Sequence, residues 1–182
     1  MSQIPTPSVD EAPSQSRSLL AQVNDRLGAI PNFYRVVSNS PAALQAVLSF
    51  QSALDQGALD SLVAERIALT VAEVNGCDYC LSAQTFRVRK LGKLDDIEIT
   101  ANRNGASNDI VVDASLRFAR KLVRERGHVT ELDVDDVRRA GYSDAQIVEI
   151  IAHVALNVFT NFVNEALKTE IDFPRIGARR PA

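Results

Sequence analysis

Cys77 and Cys80 are the only cysteines in the chain, and they stand as Cys77-Asp78-Tyr79-Cys80. This spacing puts two thiols on one side of a helical turn, within bridging distance of each other. Such a pair opens and closes as a disulfide without large backbone movement. Thiolate is the reactive form, and a free thiol with a pKa of about 8.5 is mostly protonated at neutral pH. A reactive site must therefore lower that pKa or set a proton acceptor beside the sulfur. The sequence offers two devices. Asn75-Gly76 ends one helical pattern, so Cys77 falls at the start of the next, where unpaired N–H groups and the positive dipole end favour an anion. Glu65 lies about three turns upstream, among Leu62, Val63, Ile67, Leu69 and Val71. A carboxylate in apolar surroundings can exchange protons near neutrality. The plainer reading of Glu65-Arg66 is an ordinary solvated pair.

The elements that must position these groups read as helices almost throughout. Residues 1–13 are rich in proline and serine and are expected to form a flexible arm. Leu19, Leu20, Val23 and Leu27 then recur at helical spacing up to Gly28. Ser40-Pro41 starts a helix expected to end at Gly57, and Asp60 starts the one that stops at Asn75-Gly76. The cysteine helix is expected to run to Leu91 and stop at Gly92. Further helices start at Asp95 or Asp96, at Asp109 (running to Arg126), at Thr130 and at Ser143 (running to Thr169). No run alternates apolar and polar residues long enough for a strand. The expected fold class is all-α: a single-domain helical bundle over residues 14–173, with an extended C-terminal tail over 174–182.

Composition narrows the possible partners. The chain has 182 residues, 46% of them hydrophobic, and a net charge of −3. It suits one globular domain and carries no basic surplus for a nucleic acid or an anionic membrane. The apolar run from Ile147 to Phe162 is interrupted by Glu149, His153, Asn157 and Asn161, and does not read as a membrane span. The first thirteen residues have neither a basic start nor an apolar core. The expected compartment is therefore the cytoplasm, where a lone cysteine pair suits catalysis or redox sensing better than a structural staple.

The run Glu65-Arg-Ile-Ala-Leu-Thr-Val-Ala-Glu-Val-Asn-Gly-Cys77-Asp-Tyr-Cys80 resembles the alkylhydroperoxidase D-like proteins of the carboxymuconolactone decarboxylase superfamily. That family's redox branch carries Glu, eleven residues, Cys, two residues, Cys, three residues, His. Gly28-Ala-Ile-Pro31-Asn, Ser40-Pro41 and Ala140-Gly141-Tyr-Ser-Asp144 fit the same pattern, and the likeness spans residues 20–173. The resemblance implies an all-helical bundle that assembles as a trimer or hexamer. It implies reduction of a hydroperoxide substrate without a cofactor, the pair being reset by a dithiol reductant. It also implies that Cys80 attacks the peroxide and that Cys77 donates a proton and then closes the disulfide. The helix dipole taken alone favours Cys77 as the thiolate.

The chain departs from the pattern at the relay histidine, which is Gln84 here. Glutamine holds a hydrogen bond but carries no proton at neutral pH. Tyr79, a histidine in some relatives, is a poor base near neutrality. His153 is a possible substitute. His153, Asn157, Asn161 and Glu165 recur every four residues and form one polar stripe. The stripe suits either the wall of the thiol site or a polar seam between subunits, and periodicity does not separate the two. His128 follows Gly127 in a loop and reads as surface. The clusters around Arg87 and Arg117–Arg126 read as solvated helix faces. A metal site is a poor fit, because zinc wants three or four protein ligands and one CxxC pair supplies two. Two other functions fit the chain: a non-enzymatic redox sensor or oligomeric scaffold, and a decarboxylase-type enzyme of the same superfamily. The latter has no need of a CxxC pair.

Overall fold

Capping side chains divide the long helical pattern into separate elements. In a computed structural model that describes residues 2–90 and 94–179, nine helices and no strand occur among the described residues. They are α1 (Ser14–Leu27), α2 (Asn32–Val37), α3 (Pro41–Leu54), α4 (Ser61–Asn75), α5 (Asp78–Lys90), α6 (Asp96–Arg103), α7 (Ile110–Arg124), α8 (Glu131–Arg139) and α9 (Asp144–Leu167). The all-α class is as the sequence predicts, and so are the helix starts. Ser40 accepts from Ala43 N–H ahead of α3, and Asp60 accepts from Leu62 and Val63 N–H ahead of α4. Asp95, not Asp96, caps α6. Thr130 and Ser143 form capping boxes with Asp133 and Gln146. Each satisfies donors that a first turn leaves unpaired.

Helix ends are less faithful to the sequence signals. α3 stops at Leu54, short of Gly57, because the next residues are held from elsewhere: Glu149 of α9 accepts from Ala58 N–H at 3.0 Å and Leu59 N–H at 2.6 Å. α7 stops at Arg124, not Arg126, and α9 at Leu167, not Thr169. The expected end of the cysteine helix at Leu91-Gly92 lies outside the described residues.

α4 is the central helix and packs against α5, α6, α7 and α9. One apolar cluster joins α1, α2, α3 and α5 through Leu20, Phe33, Leu44, Leu69, Leu81 and Leu156. A second joins α7, α8 and α9 through Ile67, Val71, Leu116, Phe118, Val137 and Ile150. α9 is long and apolar enough to cross a membrane by length and composition, with a mean hydropathy of 1.4, yet here it is packed against α3, α4, α5 and α7. The segment ahead of α1 lies against α2: Arg35 donates to Thr6 O and Pro7 O, and Ala12 is buried. The chain after α9 doubles back over α5, where Ile176 N–H donates to Ser82 Oγ at 2.9 Å and Ala178 N–H to Asp78 Oδ1 at 2.9 Å.

A buried ion pair holds α4 against α6. Arg66 Nη2 lies 3.2 Å from Glu98 Oε1, and both side chains are buried. Glu98 also accepts from Ser107 Oγ at 2.5 Å, Asn102 Nδ2 at 2.9 Å and Asn108 N–H at 3.2 Å. Burial pushes its pKa up, but these hydrogen bonds and Arg66 outweigh that and hold it below the ordinary carboxylate value. The reading of Glu65-Arg66 as a solvated pair is therefore corrected. Arg66 turns to α6, and Glu65 is left on another face of α4.

Arg66→Ala strands a buried carboxylate and is expected to cost about 3–5 kcal/mol at pH 7, or roughly 6–20 °C in Tm. Because the folded-state pKa of Glu98 is depressed, its contribution is complete above the unfolded carboxylate value and fades as pH falls through the folded one. Thermal melts of parent and variant should converge in acid. A gap that stays constant from neutrality to acid contradicts this account.

Candidate active site

The site begins at the tight turn between α4 and α5. Gly76 closes α4 in the left-handed region, at φ 68, where a side chain costs about 1–2 kcal/mol. Cys77 then stands one residue ahead of α5. Its carbonyl accepts from Leu81 N–H at 3.0 Å and its Sγ from Cys80 N–H at 3.2 Å. Cys77 thus occupies the N-cap position and does with sulfur what serine does with oxygen. The two sulfurs are joined as a disulfide, with Cα atoms 5.3 Å apart.

The two cysteines differ in access. Cys77 is 0% exposed, whereas Cys80 is 7% exposed and opens onto a cavity of about 460 Å³. Asn164 Nδ2 donates to Cys80 Sγ at 3.3 Å from a side chain that is only 3% exposed. Glu65, Tyr79, Gln84 and His153 line the same cavity. The structure therefore brings every site residue singled out in the sequence to one place, save Cys77, which lies directly behind Cys80.

Each neighbour has its own electrostatic state. Glu65 is 15% exposed at its side chain and pairs with Arg87. Burial raises its pKa, Arg87 opposes the rise, and the net direction is upward. His153 is pushed down by burial against the weaker pull of Glu149 and Asp55, so its ring is neutral at pH 7. No hydrogen bond to that ring occurs among the described residues. Tyr79 accepts from Phe33 N–H at 3.0 Å, and burial above all drives its phenol pKa up, so it stays protonated. The Oε1 of Gln84 and the Oδ1 of Asn164 are buried without a partner among the described residues. No three His, Cys, Asp or Glu side chains converge as a metal site among the described residues.

Sequence reasoning missed Asn164 and misjudged Arg87. Steps of four residues drift by about 40° each around a helix, so the stripe from His153 to Glu165 spirals off the cavity. His153 and Asn157 face it. Asn161 instead accepts from Asn75 Nδ2 at 2.9 Å, and Glu165 pairs with Lys168. Steps of seven and eleven from His153 stay on the face and mark Thr160 and Asn164, both of which line the cavity. Arg87 is seven residues beyond Cys80 on the same face of α5, where it meets Glu65 and is no mere solvated charge. His128 is exposed, as expected.

The profile of the carboxymuconolactone decarboxylase family matches residues 41–117, from α3 through the cysteine turn into α7. A peroxidase-related protein from Silicibacter sp. TM1040 is similar at 25% identity, with a TM-score of 0.81 over 93% of this chain and 91% of that one. Over this segment the chain is similar to the carboxymuconolactone decarboxylase family, and it shares the fold of that peroxidase-related protein. The same fold recurs in an alkylhydroperoxidase AhpD core, a peroxidase-related protein from Ralstonia eutropha JMP134 (24% identity, TM-score 0.81, 94% and 92% covered). It recurs again in the debrominase Bmp8, solved with 2,3,4-tribromopyrrole (21% identity, TM-score 0.73, 87% and 86% covered). No curated protein matches the chain. The chain thus has an alkylhydroperoxidase D-like fold, and the family match with its peroxidase-related neighbour suggests enzymatic activity of some kind.

Glu65→Gln removes a carboxylate whose folded-state pKa is raised. Stability tied to such a group is complete below its unfolded pKa and lost as pH rises through the folded one. The variant should therefore be more stable than the parent near pH 8 and equal to it near pH 4, as read by urea denaturation. A parent that is the more stable at pH 8 contradicts the burial argument.

Proposed function

We propose that the protein is a thiol-dependent hydroperoxide reductase that cycles Cys77 and Cys80 between dithiol and disulfide. The observation that carries this reading is the division of labour at the turn: Cys80 opens onto the cavity while Cys77 caps α5 behind it. The cycle starts from the Cys80 thiolate, steadied by the Asn164 amide. It attacks the terminal oxygen of R–O–OH, an S–O bond forms and the O–O bond breaks. Sulfur is oxidised by two electrons, and the departing alkoxide takes a proton to become an alcohol. Cys77 then attacks Cys80 Sγ. The S–S bond forms, the S–O bond breaks, and hydroxide leaves with the thiol proton as water.

Reduction follows the same geometry in reverse. An external dithiol attacks Cys80 Sγ, the sulfur within reach, and Cys77 departs as a thiolate onto the Cys80 N–H. A second exchange frees the donor as its own disulfide. Gln84 carries no proton, so the relay passes to other groups in the cavity. Glu65, with its raised pKa, and the neutral His153 are the titratable side chains there that can take up and release one. Tyr79 is held by the hydrogen bond it accepts from Phe33 N–H, and the unpartnered Gln84 oxygen is left to accept one from a thiol or a bound group. The cycle needs no cofactor and suits a reducing cytoplasm. The proposal includes assembly as a homo-oligomer, for which α9 offers exposed Val148, Ile151, Phe159 and Phe162.

A second reading sends the same electron pair to a carbon–halogen bond. The apolar cavity at Cys80 and the fold shared with a debrominase favour it.

Peroxide consumption with a dithiol donor should fall to background in Cys80→Ser. Cys77→Ser should complete one stoichiometric turnover and stop about 16 Da heavier, as the sulfenic acid. Parental turnover in Cys80→Ser contradicts the assignment, and halide release without peroxide consumption selects the second reading.

A further inference from the structure

The cavity is graded from one end to the other. Its deep end holds Cys80 and two buried oxygens without partners, Asn164 Oδ1 and Gln84 Oε1. Unpartnered buried acceptors are costly and mark a place for a donor. Its walls are apolar, with Phe33, Leu156, Phe86 and Phe173 among them. Its open end is cationic. Arg26 and Arg87 are 39% and 54% exposed at their side chains, and Lys90 is exposed too.

The cations at this end are incompletely matched. Arg87 is taken by Glu65, and Arg26 reaches Asp55 only at 3.8 Å while donating to Gln51 at 3.0 Å. Lys90 has no ion-pair partner among the described residues. Cys80, Gln84, Arg87 and Lys90 follow one face of α5, so seven to ten residues separate the reactive sulfur from the charged rim. At the helical rise this is about 10–15 Å.

We infer that the substrate is an amphiphilic carboxylate hydroperoxide, with its hydroperoxy group at Cys80, Asn164 and Gln84, its apolar body along the cavity and its carboxylate at Lys90 and Arg26. This rests on the hydroperoxide-reductase reading and deepens it. The substrate O–H donates to the unpartnered amide oxygens. The apolar walls exclude water from the O–O bond. A charge-assisted contact at the rim sets the reach, so the oxidised carbon sits about 10–15 Å from the carboxylate. Hydrogen peroxide fills little of such a cavity and makes none of the rim contacts.

The test is single-turnover loss of thiols from the reduced full-length protein. The probes are 13-hydroperoxyoctadecadienoic acid, its methyl ester and hydrogen peroxide. The acid should outpace the ester by about fivefold or more, with the ratio shrinking as salt rises. In Lys90→Glu combined with Arg26→Gln the ratio should fall to about one or invert. The ester is the internal reference, since a damaged fold slows acid and ester alike. An acid-to-ester ratio near one in the parent, with both oxidising the pair, overturns this inference and leaves the reductase reading standing. Failure of all three probes to oxidise the pair overturns both.

Discussion

The site depends on the reversal of the chain between α4 and α5. Gly76 takes a conformation that other residues enter at a cost, and the next residue must at once cap a new helix. That residue is Cys77, and its sulfur accepts the N–H of Cys80. One turn thereby assigns two roles. The first sulfur receives the helix-end electrostatics and loses its access to solvent, and the second receives the access.

In the proposed cycle this arrangement accommodates both the dipole argument, which favours Cys77 as the thiolate, and the family resemblance, which implies Cys80 as the attacking sulfur. A capped Cys77 thiolate is a good leaving group when the disulfide is reduced. Cys80 has its own donor in Asn164, reaching across from α9. The remaining geometry keeps these helices in register. Arg66 and Glu98 tie α4 to α6 on the far side, which leaves Glu65 to face the cavity and meet Arg87. The returning C-terminal segment binds α5 through Ser82 and Asp78, and its Phe173 packs edge-on against Tyr79 at 5.8 Å.

Much of this was legible in the sequence, for local reasons. Helix starts could be read because a capping side chain acts on the residues that follow it, as Ser40, Asp60, Thr130 and Ser143 do. The cysteine turn could be read from Asn75-Gly76 and the pair itself. Helix ends could not, because the stop after Leu54 is imposed by Glu149, remote in sequence. Neither could the partner of Glu65, since the choice between Arg66 and Arg87 is made by α6 and α5. Asn164 was hidden by counting in fours along a helix that turns every 3.6 residues. Counting in sevens and elevens from His153 recovers it.

The central claim is that two adjacent sulfurs exchange an electron pair with an oxidant through the one that opens onto the cavity. Its most direct test is a thiol titration of the fully reduced protein before and after one equivalent of an organic hydroperoxide, with intact mass on the same samples. The account predicts loss of both thiols, a mass lower by about 2 Da, and full recovery on adding a dithiol. Two thiols still titratable at unchanged mass would contradict it.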